Sequence, residues 1–243
     1  MLFLSLILAL VPLTQDAADK AATEALDAFK KAFKGAEADK TAALEELAKV
    51  QHAKTASRLG AIVSAPEASP VRIAAAKALG KFTEAKKQAG TALVNGLAAN
   101  AKEPNIFGAI CEALGELQEA SVVPPLVRYF DEKDPVVATR TVATVGKIGS
   151  PAGIDPLISL LAREERLIKS NSGGGVAVGG ATNPNNGGAT AGVVAGPDTR
   201  VKERALALVG AANQALNSIT NETNSTSDAW AAWWAKNKST FKK

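Results

Sequence analysis

His52 and Cys111 are the only histidine and the only cysteine in this 243-residue chain, and they have the widest range of possible chemistry. A zinc or copper site needs several such ligands, and a nucleophilic set needs a base beside its thiol or hydroxyl. Cys111 lies at helical spacing from Phe107 and Leu114, which predicts a small buried residue. His52 is expected to face solvent in a turn. The sequence therefore predicts no catalytic, cofactor-binding or metal-ligating residue, and we expect that the protein is not an enzyme.

Two acidic pairs and one glycine-rich stretch are the remaining candidates for a site. Glu45 and Glu46 are adjacent, as are Glu164 and Glu165, so each pair points in two directions on a helix and is expected on a solvated face. Residues 170–199 are rich in glycine, but no Gly-Lys-Ser/Thr follows them, as a phosphate-binding loop would require. We expect a flexible insert on one edge of the fold, with a loose hairpin as the alternative.

Residues 103–161 contain the same sequence pattern twice. Leu114-Gly115 returns as Val145-Gly146 after 31 positions (145 − 114), and the same interval separates the two Pro-Leu pairs. The column extends upstream and is followed by a column of small residues. The first column is Leu47, Leu79, Leu114 and Val145, and the second is Ala48, Gly80, Gly115 and Gly146. A fixed period of this length predicts stacked helix pairs that share one core.

The repeat gives a layout for the whole chain. We predict a signal peptide at 1–15, a capping helix at 16–35, four repeats at 36–169, the glycine-rich insert at 170–199, and a last repeat with a tryptophan-rich capping helix at 200–243. Each repeat consists of a first and a second helix, and the second helices carry matching leucines, namely Leu59, Leu93, Leu126 and Leu157. The fold class is therefore all-α, a right-handed α-solenoid.

Several local signals mark the ends of these helices. Ser69 and Asp134 each precede a proline and are predicted N-caps, and so is Asp228. In the last repeat, Leu206 and Val209-Gly210 are predicted to occupy the same columns as the corresponding residues of the earlier repeats. The final helix carries its aromatic residues on one side, which predicts a cap on the last repeat, with an exposed recognition patch as the alternative. These residues are Trp230, Trp233, Trp234 and Phe241.

The first 13 residues are apolar, and no charge precedes Asp16. They are too few to cross a bilayer as a helix, which needs about 20 residues. A secretory signal peptide is the favoured interpretation, and an apolar helix lying on the first repeat is the alternative. We therefore expect an extracytoplasmic protein, periplasmic or secreted, that meets the membrane only through this segment.

With these columns in place, the chain resembles a HEAT-repeat protein of the armadillo-like helical class, and residues 134–161 are its most typical unit. The short period is similar to that of bilin-lyase-like HEAT domains, and the tryptophan-rich end resembles exported bacterial HEAT-repeat proteins. The resemblance implies a scaffold that binds a protein or peptide along a concave face. A cytoplasmic accessory or bilin-lyase-like subunit is the alternative. A nucleic-acid-binding HEAT-like protein is a less favoured alternative. Nucleic acid is not an expected partner, because the net charge of +4 comes from 28 basic and 24 acidic residues that are well mixed.

Overall fold

A computed structural model describes residues 3–170 and 197–241. The predicted glycine-rich insert therefore lies outside the described residues except at its borders. Within the described part the chain forms eleven α-helices, three 3₁₀ turns and no strand, which confirms the all-α fold class. None of these helices is both long and apolar enough to span a bilayer.

The helices follow one another in pairs after a long N-terminal helix. The bounds are α1 Phe3–Ala32, α2 Glu37–Ala48, α3 Ala53–Val63, α4 Ser69–Gly80, α5 Lys86–Ala99, α6 Pro104–Leu117, α7 Val123–Val127, α8 Pro135–Ile148, α9 Ile154–Ser170, α10 Pro197–Thr220 and α11 Ser227–Asn237. The 3₁₀ turns Ala120–Val122 and Arg128–Asp131 flank α7, and Pro151–Gly153 precedes α9.

The pairs stack into two rows of helices. The first-helix row consists of α2, α4, α6, α8 and α10, each packed against the next. The second-helix row consists of α3, α5, α7 with its 3₁₀ turns, α9 and α11. One continuous core lies between the rows, and the predicted columns fall inside it: Leu47, Leu79, Leu114 and Val145 are buried, as are Leu59, Leu93, Leu126 and Leu157. The repeat pattern is confirmed.

The column of small residues marks where successive first helices cross. A Cβ atom on Gly80 would lie 2.9 Å from the Cα of Ala113, and one on Gly146 would lie 2.7 Å from the Cα of Ala215. The obstacle in both cases is the backbone of the next helix, which cannot rotate away as a side chain can. These two glycines therefore allow an approach that any larger residue would prevent, at a cost of roughly 0.5–1 kcal/mol in helix propensity each.

The predicted register of the last repeat is wrong. Leu206 is 51% exposed, Val209 is only partly buried, and a Cβ atom on Gly210 would meet nothing within 4 Å. The core face of α10 near the crossing instead carries Ala215 and Leu216. Residues 206–210 have the same sequence pattern as the column, but they do not lie at the crossing. α10 crosses Gly146 at Ala215, about two helical turns closer to its own C-terminus.

The N-terminal helix lies against the first repeat. α1 contacts α2 and α3, with Phe29 buried and Leu26 and Phe33 packed around it. The helix is continuous from Phe3, so it begins well before the predicted start at residue 16. The Lys54 ammonium, 2.7 Å from Asp19 Oδ1, ties α1 to the start of α3 and lowers the pKa of that carboxyl.

Of the three predicted N-caps, one is confirmed. Asp134 Oδ1 accepts a hydrogen bond of 2.8 Å from the backbone N–H of Val136. Ser69 is already the first residue of α4, and the capping position belongs to Ala68, whose side chain forms no such bond. In α11 the cap is Thr226, which accepts from the backbone N–H of Ala229, so Asp228 falls inside the helix.

Polar side chains connect neighbouring repeats across the stack. Asn100, fully buried, donates to the carbonyl of Val63 at 3.1 Å and accepts from Arg72, so it joins α3, α4 and the end of α5. Gln51 Oε1 accepts from the backbone N–H groups of Thr83 at 2.7 Å and Glu84 at 3.2 Å. The bonds of Asn100 satisfy groups that the stacking removes from water, whereas those of Gln51 lie at the surface. Both sets join one repeat to the next.

The tryptophan-rich helix closes the C-terminal end. Trp230 and Trp234 are buried, and the indole N–H groups donate to Asn213 of α10 and Asp155 of α9, both at 2.8 Å. Trp233 is half-buried and stacks on Trp234 with ring centroids 6.1 Å apart. These rings fill the space over the last repeat, which agrees with a capping helix rather than an exposed aromatic patch.

Candidate functional site

The second-helix row carries a groove between α3 and α5 with a volume of about 570 Å³. The two helices approach closely because Gly60 faces Ala92, where an added Cβ would lie 2.5 Å from the Cβ of Ala92. The side chains along the groove are small or polar. They belong to Ala53, Ser57, Gly60 and Ala61 of α3, to its C-cap Ser64, and to Lys87, Gln88, Thr91, Ala92 and Asn95 of α5.

A second groove of about 530 Å³ continues from the other side of α5. Residues at the end of α5 form one wall, and α7 with the 3₁₀ turn that follows it forms the other. Tyr129 is half-buried in this wall, and its ring lies 6.1 Å from that of Phe107. Asn95 lines both grooves, so they adjoin across α5. We call the two together the second-helix grooves.

The grooves offer hydrogen-bonding groups and little charge. The side chains of Ser57, Ser64 and Asn95 are exposed and form no hydrogen bond within the described part of the chain. Lys87 is the one charged residue of the first groove, and Arg128 and Glu132 are those of the second. Such a surface can bind the polar backbone of a ligand, but it brings no base and nucleophile together.

Two protein-family models match helix pairs in this part of the chain. A model described as HEAT repeats matches residues 90–172, and one described as a PBS lyase HEAT-like repeat matches residues 71–99. Residues 71–172 of the chain therefore consist of HEAT repeats. No curated protein matches its sequence.

His52 of this HEAT-repeat protein does not face solvent as the sequence predicted. It is the N-cap of α3, where Nδ1 accepts from the backbone N–H of Lys54 at 3.2 Å, and its side chain is only 18% exposed. Nε2 lies 3.6 Å from Asp19 Oδ1 on α1. One ring nitrogen therefore caps α3 and the other faces a carboxylate of α1, which is a structural role.

Cys111 is a buried residue of α6, as predicted. Burial raises the pKa of its thiol to about 11, so the group remains protonated and neutral at physiological pH. In the described residues no three His, Cys, Asp or Glu side chains are close enough together to hold a metal ion. The HEAT-repeat core brings neither of the two chemically versatile residues into a reactive set.

The prediction for the acidic pairs is correct for one pair and wrong for the other. Glu45 and Glu46 are exposed. Glu164 has 0% exposure: Oε1 accepts from Arg163 Nη2 at 2.9 Å and lies 3.6 Å from Arg204 Nη1, and Oε2 has no partner. Glu165 accepts from the hydroxyl of Ser227 at 2.6 Å. Each residue of this second pair connects α9 to the last HEAT repeat.

Sequence reasoning did not identify the second-helix grooves, because no motif marks them. Their residues come from separate helices and are chemically ordinary. A signal was nevertheless present: Ser57, Ala61 and Ser64 on α3, and Thr91 and Asn95 on α5, recur at three and four positions, which places them on one helical face opposite the leucine column.

Arg204 should be essential to the burial of Glu164. We expect Arg204→Met to lower the free energy of unfolding by roughly 3 kcal/mol, because it leaves a buried carboxylate with weaker compensation. The double variant E164M/R204M should recover part of that loss, since it removes the buried charge as well. The bonds from Arg204 Nη2 to the carbonyls of Phe130 and Glu132 are lost in both variants. Urea denaturation measures both. Arg166 is an exposed arginine on α9, the helix of Glu164, and bonds only to Ala162 within the described residues. Arg166→Met should therefore change stability by at most about 0.5 kcal/mol. A double variant that is no more stable than R204M would contradict this assignment.

Proposed function

We propose that this HEAT-repeat protein is a non-catalytic scaffold that binds a protein or peptide partner in its second-helix grooves. The observation that carries the proposal is the continuity of the two grooves across α5, with Asn95 lining both. Neighbouring helix axes lie about 8–10 Å apart, so two adjoining grooves extend over roughly 20 Å. An extended peptide covers that distance with about six residues.

The composition of the grooves favours a peptide over a small molecule. An extended peptide has polar N–H and C=O groups along its whole length, and each needs a partner when it leaves water. Ser57, Ser64 and Asn95 supply such partners at intervals along the grooves. A small-molecule site usually concentrates a few polar groups in one apolar cavity instead.

The rigidity of the second-helix row supports the same proposal. The leucines beneath the grooves, Leu59 and Leu93, are fully buried, and Asn100 ties the end of α5 to the end of α3. A surface held by a packed core keeps its shape before the partner arrives, so less conformational entropy is lost on binding.

We further propose that the scaffold acts outside the cytoplasm. The support is the apolar, uncharged stretch at residues 1–13, which fits a signal peptide. The competing proposal is a cytoplasmic accessory or lyase-like subunit, which is favoured by the match of one helix pair, residues 71–99, to the PBS lyase HEAT-like repeat model.

The groove proposal is tested by filling both grooves at the residue they share. We expect Asn95→Arg to weaken peptides selected against the wild-type protein from a random library by about tenfold or more, because the long side chain occupies the binding surface. Ala99→Arg is the matched control, since it adds the same charge to an exposed position of α5 outside both grooves. Fluorescence anisotropy gives both affinities. Equal binding by the two variants would contradict the proposal.

The export proposal predicts that the mature protein lacks its apolar N-terminus. Fractionation of the native host, followed by mass spectrometry of the N-terminal peptide, should find a trimmed form outside the cytoplasm. An intact Met1 in the soluble cytoplasmic fraction would support the accessory-subunit alternative instead.

A further inference from the structure

A third groove, of about 490 Å³, lies on the first-helix row and plays no part in the proposed function. It crosses three successive first helices, α4, α6 and α8. Its ionisable side chains, apart from the thiol of Cys111, are three cations and one carboxylate, namely Lys77, Arg140, Lys147 and Glu112. We call it the cationic groove.

Arg140 is held in a fixed position at this groove. Its Nη1 donates to the carbonyl of Pro104 at 2.6 Å, so the guanidinium of α8 reaches across to the start of α6. A Cβ atom on Gly108 would lie 2.6 Å from that same Nη1, so glycine leaves room for the guanidinium. A guanidinium has five N–H groups, and the described part of the chain uses one, which leaves the others for a ligand.

The two lysines are exposed, and their ammonium groups form no hydrogen bond or ion pair within residues 3–170 and 197–241. Neither Lys77 nor Lys147 has an acidic group within 4.0 Å in the described residues. The methylene stem of Lys147 lies over Gly115, where an added Cβ would be 3.0 Å from Cδ. This contact directs the side chain of α8 along the surface of α6. The thiol of Cys111 at the floor is neutral and offsets none of the positive charge.

The arrangement selects the kind of ligand. The cations belong to α4 and α8, with α6 between them, so they extend over roughly 20 Å at ordinary helix spacing. A small anion would reach only one of them, whereas a chain of that length with several negative charges would reach all three. Glu112 on α6 interrupts the positive surface and repels a uniform row of phosphates. A peptide avoids this repulsion, because a neutral or donor residue can lie opposite Glu112.

We propose that the cationic groove binds an extended acidic peptide segment, with carboxylates at Lys77 and at Arg140 and Lys147. The occupant lies on the first-helix row and is therefore a second ligand, separate from the partner of the second-helix grooves. A scaffold with both surfaces would hold two chains at once, one on each row of helices.

The test uses fluorescein-labelled peptides of alternating glutamate and glycine, with a lysine–glycine peptide and a single-stranded DNA of equal charge as comparisons. We expect the acidic peptide to bind and its affinity to fall as salt is added. K77E/K147E should weaken binding by about tenfold or more, because attraction becomes repulsion at both ends. R140Q should weaken it by a smaller factor. Anisotropy measures the affinities and thermal melting verifies the fold.

K31E/K133E is the matched control, since it reverses two exposed lysines outside the groove and should retain the wild-type affinity within about twofold. N95R should also retain it, which separates this proposal from the proposed function. Three results would overturn the assignment: no binding of the acidic peptide, equal weakening by K77E/K147E and K31E/K133E, or tighter binding of the DNA than of the peptide.

Discussion

At two of its crossings, α4 with α6 and α8 with α10, the row of first helices is packed so closely that the residue at the crossing cannot carry a larger side chain. Gly80 meets the backbone of Ala113, and Gly146 meets that of Ala215. This close contact brings the leucine column of each helix against the next repeat and removes both from water, which is the main source of stability in such a stack. The two rows, their shared core and the grooves on their surfaces all depend on it.

The same contact explains why the two proposed binding surfaces are on the outer faces of the rows. Every repeat uses its inner face for its neighbours, so only outward side chains remain for ligands. On the second-helix row these are small and polar, as at Ser57 and Asn95, and on the first-helix row they are cationic, as at Lys77 and Lys147. The buried polar groups Asn100 and Glu164, by contrast, bind within the protein and join repeats together.

The stack was predictable because buried residues recur at a nearly constant interval. That interval is visible in the sequence as the spacing of Leu47, Leu79, Leu114 and Val145. Predictions failed where a distant contact decided the outcome. Glu164 is buried because Arg204, on the far side of the insert, reaches it. The register of α10 is set by the contact between Ala215 and Gly146. The sequence instead indicated Val209-Gly210, because this pair resembles the pairs in the earlier repeats. The grooves combine ordinary residues from separate helices, so only their helical spacing marked them.

Two glycine-to-alanine substitutions test the close crossing most directly. Gly146 and Gly210 both lie inside first helices, but only Gly146 faces a neighbouring backbone. The account predicts that G146A lowers the free energy of unfolding in urea by roughly 1–3 kcal/mol through overpacking. It predicts that G210A raises the same quantity by up to about 1 kcal/mol through helix propensity alone. A G146A variant as stable as G210A would contradict the account.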